Sequence, residues 1–168
     1  RELKRIAGQW TANDLQVRDG TLYAMLHRAG TISMIDTTSL QVTGTWPVRR
    51  LTTGSLAIAG GSAHYTDGDD QITYLARLDL DTGDVATQPT RAVRVPLLAP
   101  IDGSSDQFLT FEADSSRVDI IRWDASGSET TEVVADFSGT FNHQTNDFIA
   151  SAIEGKGWSS DGREVDLD

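Results

Sequence analysis

Three carboxylates lie close together in the segment TDGDD, namely Asp67, Asp69 and Asp70. Carboxylate oxygens are the ligands that calcium prefers in proteins, so these side chains are candidate metal ligands. The segment differs from an EF-hand loop, because no glutamate follows at the twelfth position. A polar turn with Gly68 at its tip explains the same residues, so a calcium site and a plain hairpin turn both stay open.

A second polar group occurs in the segment FNHQTND, where His143 has Asn142 and Gln144 as neighbours. Imidazole and amide groups can bind ligands, and imidazole can also transfer protons near neutral pH. Asn142, His143 and Gln144 are therefore candidate ligand-binding residues, although a polar inner strand is normal in a propeller channel and also accounts for them. His64 differs from them, because it precedes Tyr65 in an apolar strand, and we expect its ring to bond neighbouring backbone.

Composition narrows the classes of chemistry open to the chain. The sequence has no nucleophile elbow, no phosphate-binding loop and no zinc-binding His-Glu-x-x-His motif. Its 168 residues include 25 acidic and 14 basic side chains, and the net charge of −11 argues against a nucleic acid partner. The absence of cysteine excludes disulfides and thiolate chemistry, and no apolar run approaches the roughly 18 residues of a membrane-spanning helix.

The elements that position these residues are predicted to be short strands. Apolar runs rich in Val, Ile, Tyr and Phe alternate with clusters of Gly, Ser, Thr and Asp, a composition typical of strands and turns. An aspartate followed by small residues recurs as Asp36, Asp81 and Asp124, at intervals of 45 and 43 residues. Such an aspartate accepts bonds from backbone amides just beyond it and favours a turn between antiparallel strands. The large apolar residues directly before these aspartates are Ile35, Leu80 and Trp123.

The intervals indicate a repeated four-stranded unit. Aromatic residues recur in the strand upstream of each aspartate, as Tyr23, Tyr65 and Phe111, and we expect them to be buried between units. A four-stranded unit of about 40–45 residues is the signature of a β-propeller blade. The sequence therefore predicts an all-β chain of four repeats of about 42 residues, with about sixteen strands in four sheets. The approximate blades are residues 11–46, 47–90, 91–137, and 138–168 together with 1–10.

The two ends of the chain are predicted to share the fourth blade. The segment IAGQW, Ile6 to Trp10, repeats the residue order of VTGTW, Val42 to Trp46, and the fourth unit lacks an outer strand. An N-terminal strand beside Val165 to Leu167 would cover that edge. The fourth unit begins near His143, which places the candidate ligand-binding residues beside an axial channel. A closed four-bladed ring, half of a larger ring completed by a second copy, and an excerpt of a longer chain all fit this pattern.

Through the segment GTISMIDTTSLQVTGTW the chain resembles bacterial β-propellers with YVTN-like or quinoprotein-like repeats. The resemblance implies a single propeller domain over residues 1–168, in a class that includes binding modules, scaffolds, lyases, lactonases and dehydrogenases. We expect a non-enzymatic, extracytoplasmic module, secreted or at the cell surface, that binds a protein or glycan partner, with a homodimer if the ring is shared. The alternative is a hydrolase or lyase with an axial site supported by calcium. No other cofactor is expected, and the sequence does not decide whether the chain is an enzyme.

Overall fold

The computed structural model describes residues 12–26, 29–48, 55–68, 73–89, 97–102, 104–112, 117–123, 129–136, 148–151, 155–159 and 164–166. Every regular element within these ranges is a β-strand, as the sequence predicts. The first sheet contains β1 (Ala12–Arg18), β2 (Thr21–Leu26), β3 (Thr31–Asp36) and β4 (Val42–Pro47). The second sheet contains β5 (Leu56–Ala59), β6 (Ser62–Gly68), β7 (Thr73–Asp79) and β8 (Val85–Pro89).

The third sheet combines the third and fourth repeat units. The third unit contains β9 (Leu97–Asp102), β10 (Gln107–Glu112), β11 (Arg117–Trp123) and β12 (Glu129–Asp136). The described part of the fourth unit contains β13 (Phe148–Ser151), β14 (Lys156–Ser159) and β15 (Glu164–Asp166). Within each unit, neighbouring strands pair antiparallel in chain order, so every unit is an up-and-down meander.

Pairing between the third and fourth units corrects one prediction. Strand β13 pairs parallel with β9, with Ala150 opposite Ile101 and Ser151 opposite Asp102. The predicted division into four separate sheets is therefore wrong, because the inner strands of these two units run in the same direction and bond through their backbones. The described strands form three sheets, the last in the order β12-β11-β10-β9-β13-β14-β15.

The aspartate turns show why the first two units have the same shape. In the first sheet, Asp36 Oδ1 accepts the backbone amide of Ser39 at 2.6 Å, and the Leu40 amide donates to the Asp36 carbonyl at 2.8 Å. In the second, Asp79 Oδ1 accepts the Thr82 amide at 2.9 Å, and the Gly83 amide donates to the Asp79 carbonyl at 2.9 Å. Both turns are closed by an aspartate, as expected.

The second aspartate of the repeat pattern needs correction, however. The counterpart of Asp36 is Asp79 and not Asp81, since the Asp81 amide donates to Asp79 Oδ1 at 2.9 Å and the Asp81 side chain is exposed. The turns also share a residue in the left-handed region, where φ is 55° at Leu40 and 81° at Gly83. Glycine adopts this conformation without the steric cost that a Cβ atom carries.

The core lies on both sides of the second sheet. Between the first and second sheets, Tyr65 packs in a buried cluster with Met25 and Ile32, against which the half-buried Tyr23 and Leu80 rest. Between the second and third sheets, Ala57, Leu75, Leu98 and Phe108 form another buried cluster. Burial of aromatic and apolar residues between units is what a stacked repeat array requires.

The predicted burial of core residues can be compared with the structure wherever their side chains are described. Tyr65 and Ile35 are buried, whereas Tyr23 and Leu80 are half-buried. Phe111 lies in β10 and Trp123 in β11, but their side chains lie outside the described part of the chain. The predicted N-terminal strand, Ile6 to Trp10, also lies outside the described residues, so its pairing stays a prediction. No helix among the described residues has the length and apolar character needed to span a bilayer.

Candidate functional site

The structure covers few of the predicted site residues. Asp67 lies in β6, where its backbone is opposite Tyr74 of β7. Asp69 and Asp70 lie outside the described residues, so calcium binding by these carboxylates stays a prediction. Within the described ranges, no three His, Asp or Glu side chains are grouped so that they could hold a metal ion.

The predicted ligand-binding residues of the axial channel are not described by the structure either. Asn142, His143 and Gln144 precede β13, and all three lie outside the described part of the chain. Their role as ligand-binding residues, and the alternative of an axial hydrolase or lyase site, therefore stay predictions. The polar groups that the structure does bring together lie on the first strands of the first three units.

Side chains of β1 bond the backbone of β5 and hold the first two units together. Asp14 Oδ2 accepts the Leu56 amide at 2.7 Å, and Gln16 Oε1 accepts the Ile58 amide at 2.7 Å. Arg18 Nη1 donates to the Ile58 carbonyl at 2.6 Å. These three residues alternate along β1, so they share one face of the strand. Without them the backbone of β5 would present buried polar groups with no strand beside it.

Hydrogen bonds from a side chain to the backbone also join the second and third units. The Ser55 hydroxyl accepts the Leu98 amide at 2.9 Å, and it also lies 2.9 Å from the Leu98 carbonyl, to which it donates. Polar side chains thus connect β1 to β5 and β5 to β9, and backbone pairing connects β9 to β13. We refer to Asp14, Gln16, Arg18 and Ser55 as the inner-strand connectors.

Sequence inspection missed these connectors. The segment NDLQVR alternates polar and apolar residues, a pattern that is typical of a strand with one solvated face. Here the polar face is directed at the next unit, and the apolar face carries the exposed Leu15 and Val17. The signal available was the placement of this strand at the start of a unit, where a propeller strand lines the centre of the ring.

The connector Gln16 offers a test of this arrangement. Gln16→Met has a similar length but no acceptor, and it would leave the Ile58 amide buried without a partner. We expect the free energy of unfolding, measured by urea denaturation, to fall by about 1–3 kcal/mol. Gln41→Met is the matched control, because the Gln41 side chain is exposed and its loss should change stability by less than about 0.5 kcal/mol. Equal effects of the two substitutions would contradict a connecting role for Gln16.

One end of the array is a surface made of turns. Among the described residues it comprises both such turns of the first two units, which follow their first and third strands, and residues 104–106 of the third unit. We call it the turn face. The Thr37 amide donates to the Gly20 carbonyl at 2.9 Å, and the Leu80 amide makes the equivalent bond to the Gly61 carbonyl at 3.2 Å. In the first unit and in the second, these bonds fasten the two turns to one another.

Further bonds fasten the turns of different units. The Gly60 amide donates to the Ser105 carbonyl at 2.8 Å, which joins the second unit to the third. Arg18 Nη2 donates to the Ser104 carbonyl, which joins the first unit to the third. The turn face is therefore a continuous, hydrogen-bonded surface across three units.

The turn face is strongly acidic. Backbone amide bonds from Ser39 hold the pKa of Asp36 below its ordinary value, and those from Thr82 and Asp81 do the same for Asp79. Both carboxylates therefore stay charged well into the acid range. The carboxylates of this face are those of Asp19, Asp36, Asp79, Asp81, Asp84 and Asp106.

His64 is a buried structural residue, as the sequence predicts. Its Nε2 lies 3.3 Å from the Ala59 carbonyl, and its ring packs on Phe108 of the third unit with centroids 4.6 Å apart. Burial is the main cause that lowers its pKa to about 3, and the nearby positive charge of Arg77 lowers it further. The ring is consequently neutral at physiological pH and serves the packing between the second and third units.

Solved structures share this arrangement of strands. BamB from Moraxella catarrhalis is 16% identical with a TM-score of 0.52, over 90% of this chain and 41% of that one. The Cps50 (Swd1) β-propeller domain from Myceliophteria thermophila is 12% identical with a TM-score of 0.56, over 88% of this chain and 48% of that one. The chain has a β-propeller fold. The predicted β-propeller fold is thereby confirmed.

A third structure extends the comparison. The WD40 domain of coronin from Toxoplasma gondii is 14% identical with a TM-score of 0.54, over 87% of this chain and 41% of that one. This propeller chain therefore spans less than half the length of all three solved structures. Its sequence matches no family model and no curated protein.

Proposed function

We propose that this propeller is a non-enzymatic module that binds another protein through its turn face. The observation that carries the proposal is the set of bonds from Thr37 to Gly20, Leu80 to Gly61 and Gly60 to Ser105, which fix the turns of three units in one surface. A surface that is ordered before binding loses little conformational entropy on association, and this favours affinity. Surface loops on a rigid scaffold are also where binding residues concentrate.

The charge of the turn face suggests the chemistry of the partner. Its exposed carboxylates, including Asp19, Asp81 and Asp84, would attract a protein surface or peptide rich in lysine and arginine. The net charge of −11 would speed the encounter with such a partner. A glycan partner and an extracytoplasmic location remain predictions from the sequence, and the propeller fold by itself is shared by proteins with many functions.

Binding to a cationic probe tests the proposal. The probe is a fluorescein-labelled dodecapeptide of lysine, arginine and serine, with binding followed by fluorescence anisotropy at low ionic strength. We expect Asp19→Asn/Asp81→Asn to raise the Kd about tenfold, since exposed ion pairs contribute up to about 1 kcal/mol each and 1.4 kcal/mol corresponds to a factor of ten. Both side chains are exposed, so the substitutions should leave the fold intact.

A matched variant separates the turn face from the general charge of the protein. Thr45→Lys/Thr87→Lys changes the net charge by the same two units, at exposed positions in the middle of the outer strands β4 and β8 and away from the turn face. Its Kd should rise by about twofold or less, because only long-range attraction is reduced. Equal weakening by the two double variants would show that the probe follows net charge, and the turn face would then not be the binding surface.

A further inference from the structure

The guanidinium group of Arg18 contacts three units at the inner end of the turn face. Arg18 is the last residue of β1 and directly precedes the turn between β1 and β2. Its Nη1 donates to the Ile58 carbonyl of the second unit at 2.6 Å, and its Nη2 donates to the Ser104 carbonyl of the third. These acceptors lie 40 and 86 residues further along the chain, so both bonds form only when the three units have packed together.

The chemistry of arginine suits this position between two units. Its guanidinium is planar and carries a rigid fork of N–H donors, so one side chain bonds two carbonyls in a fixed geometry. Beside the fork, the Gly60 amide donates to the Ser105 carbonyl at 2.8 Å. Gly60 directly follows β5, and Ser105 follows Ser104. The fork and the Gly60 amide therefore close the same gap between the second and third units.

The same side chain contacts the carboxylates at the inner edge of the turn face. Asp19 Oδ2 lies 3.8 Å from Arg18 Nε, and the Asp19 side chain is 95% exposed whereas that of Arg18 is 18% exposed. Ser104, whose carbonyl accepts from Nη2, donates through its hydroxyl to Asp106 Oδ1 at 3.2 Å. Arg18 thus acts on Asp19 directly and on Asp106 through Ser104, so a displaced guanidinium would displace both carboxylates.

We propose that Arg18 is a positioning residue of the turn face, which holds Asp19 and Asp106 in place for the lysine and arginine side chains of a partner. This inference rests on the proposed function. The charge of Arg18 by itself opposes a cationic partner, because like charges repel. Its bonds favour the same partner, because they order the surface before binding. The two effects have opposite signs, so the direction of a change in Kd separates them.

Binding of the labelled cationic dodecapeptide tests the sign. Arg18→Gln should raise the Kd by about fivefold, because two carboxylates lose their fixed positions. Thr45→Asp makes the same change in net charge at an exposed position of β4, away from the turn face, and should lower the Kd by about twofold or less. Arg18→Lys keeps the charge without the rigid fork and should raise the Kd by about threefold. If Arg18→Gln does not fold, as judged by circular dichroism, Arg18→Lys decides the binding test.

Amide hydrogen exchange measures the positioning without any ligand. The Gly60 amide bonds across the gap to Ser105, whereas the Thr37 amide bonds to Gly20 within the first unit. In the Arg18 variants, exchange at Gly60 should become about tenfold faster relative to exchange at Thr37, because the contact between the second and third units opens more readily. Thr45→Asp should leave this ratio unchanged.

Three outcomes would overturn the inference. Tighter binding by Arg18→Gln, as for Thr45→Asp, would show that Arg18 acts on the partner only through its charge. An unchanged Kd in both Arg18 variants, with a lower urea midpoint, would leave Arg18 a general structural role. An unchanged ratio of exchange at Gly60 and Thr37 would show that the fork does not hold the turns of the two units together. Failure of the parent chain to bind the peptide would instead contradict the proposed function, and the exchange ratio would still decide whether Arg18 fixes the turn face.

Discussion

Gly83→Ala is expected to lower the free energy of unfolding by about 2–4 kcal/mol. A Cβ atom at this position would lie 2.5 Å from Cζ3 of Trp46, on the outer strand of the first unit. Because Trp46 packs against the core cluster between the first two sheets, its ring has to move at the expense of that packing. The backbone adds a second cost, since φ is 81° at Gly83 and alanine is strained in this left-handed region. Urea denaturation followed by tryptophan fluorescence measures the loss.

Gly61→Ala separates the two costs. Gly61 also has a positive φ, 72°, but a Cβ atom there has no neighbouring atom within 4 Å. Its substitution should cost about 1–2 kcal/mol, which is the backbone term without the clash. If Gly83→Ala and Gly61→Ala were equally destabilising, the contact between the Trp46 ring and the Asp79 turn would contribute nothing to the interface between the units.

Stability is expected to fall steeply as the pH is lowered from 6.5 towards 3, because of His64. The pKa of His64 is about 3 in the folded chain, against an ordinary value of 6.5, so only the unfolded state binds a proton in this range. The stabilisation from keeping the ring neutral is complete above pH 6.5. It is lost progressively as the pH falls towards the folded-state pKa of about 3. At pH 4.5 the loss amounts to about 3 kcal/mol, at 1.4 kcal/mol for each pH unit.

The variant His64→Gln isolates this contribution. Glutamine does not titrate, so between pH 4.5 and 6 its unfolding free energy should change with pH less steeply than that of the parent chain, by about 1.4 kcal/mol for each unit. Asp36 and Asp79 do not interfere, because their lowered pKa values place their effect at more acidic pH. Parallel stability profiles for the parent and the variant would mean that His64 becomes protonated in the folded chain.

Local chemistry made most of the strands and turns predictable. The apolar runs and the aspartate turns are set by contacts between residues a few positions apart, such as the bond from the Ser39 amide to Asp36. The assignment of Asp81 failed because DLDTGD offers several aspartates with the same local chemistry. Only the pairing of β7 with β8, in which the Asp79 amide donates to the Asp84 carbonyl, selects Asp79.

Contacts between distant segments were not predictable in the same way. Nothing in the residues of β9 and β13 distinguishes two separate inner strands from two that pair through their backbones. The connectors Asp14 and Gln16 were likewise not predictable, because their acceptor role appears only when β5 lies alongside β1. A candidate binding surface made of turns from three units has no local sequence signal for the same reason.

The inner-strand connectors have a consequence for how this chain can evolve. Asp14 and Ser55 differ in charge, length and hydrogen-bonding groups, yet each places one oxygen within 3 Å of the amide of the next unit's leucine. The contact between units requires an acceptor atom within reach of that amide, and it does not require a particular amino acid. The repeat units can therefore differ in sequence at this position while an equivalent bond keeps neighbouring blades in contact.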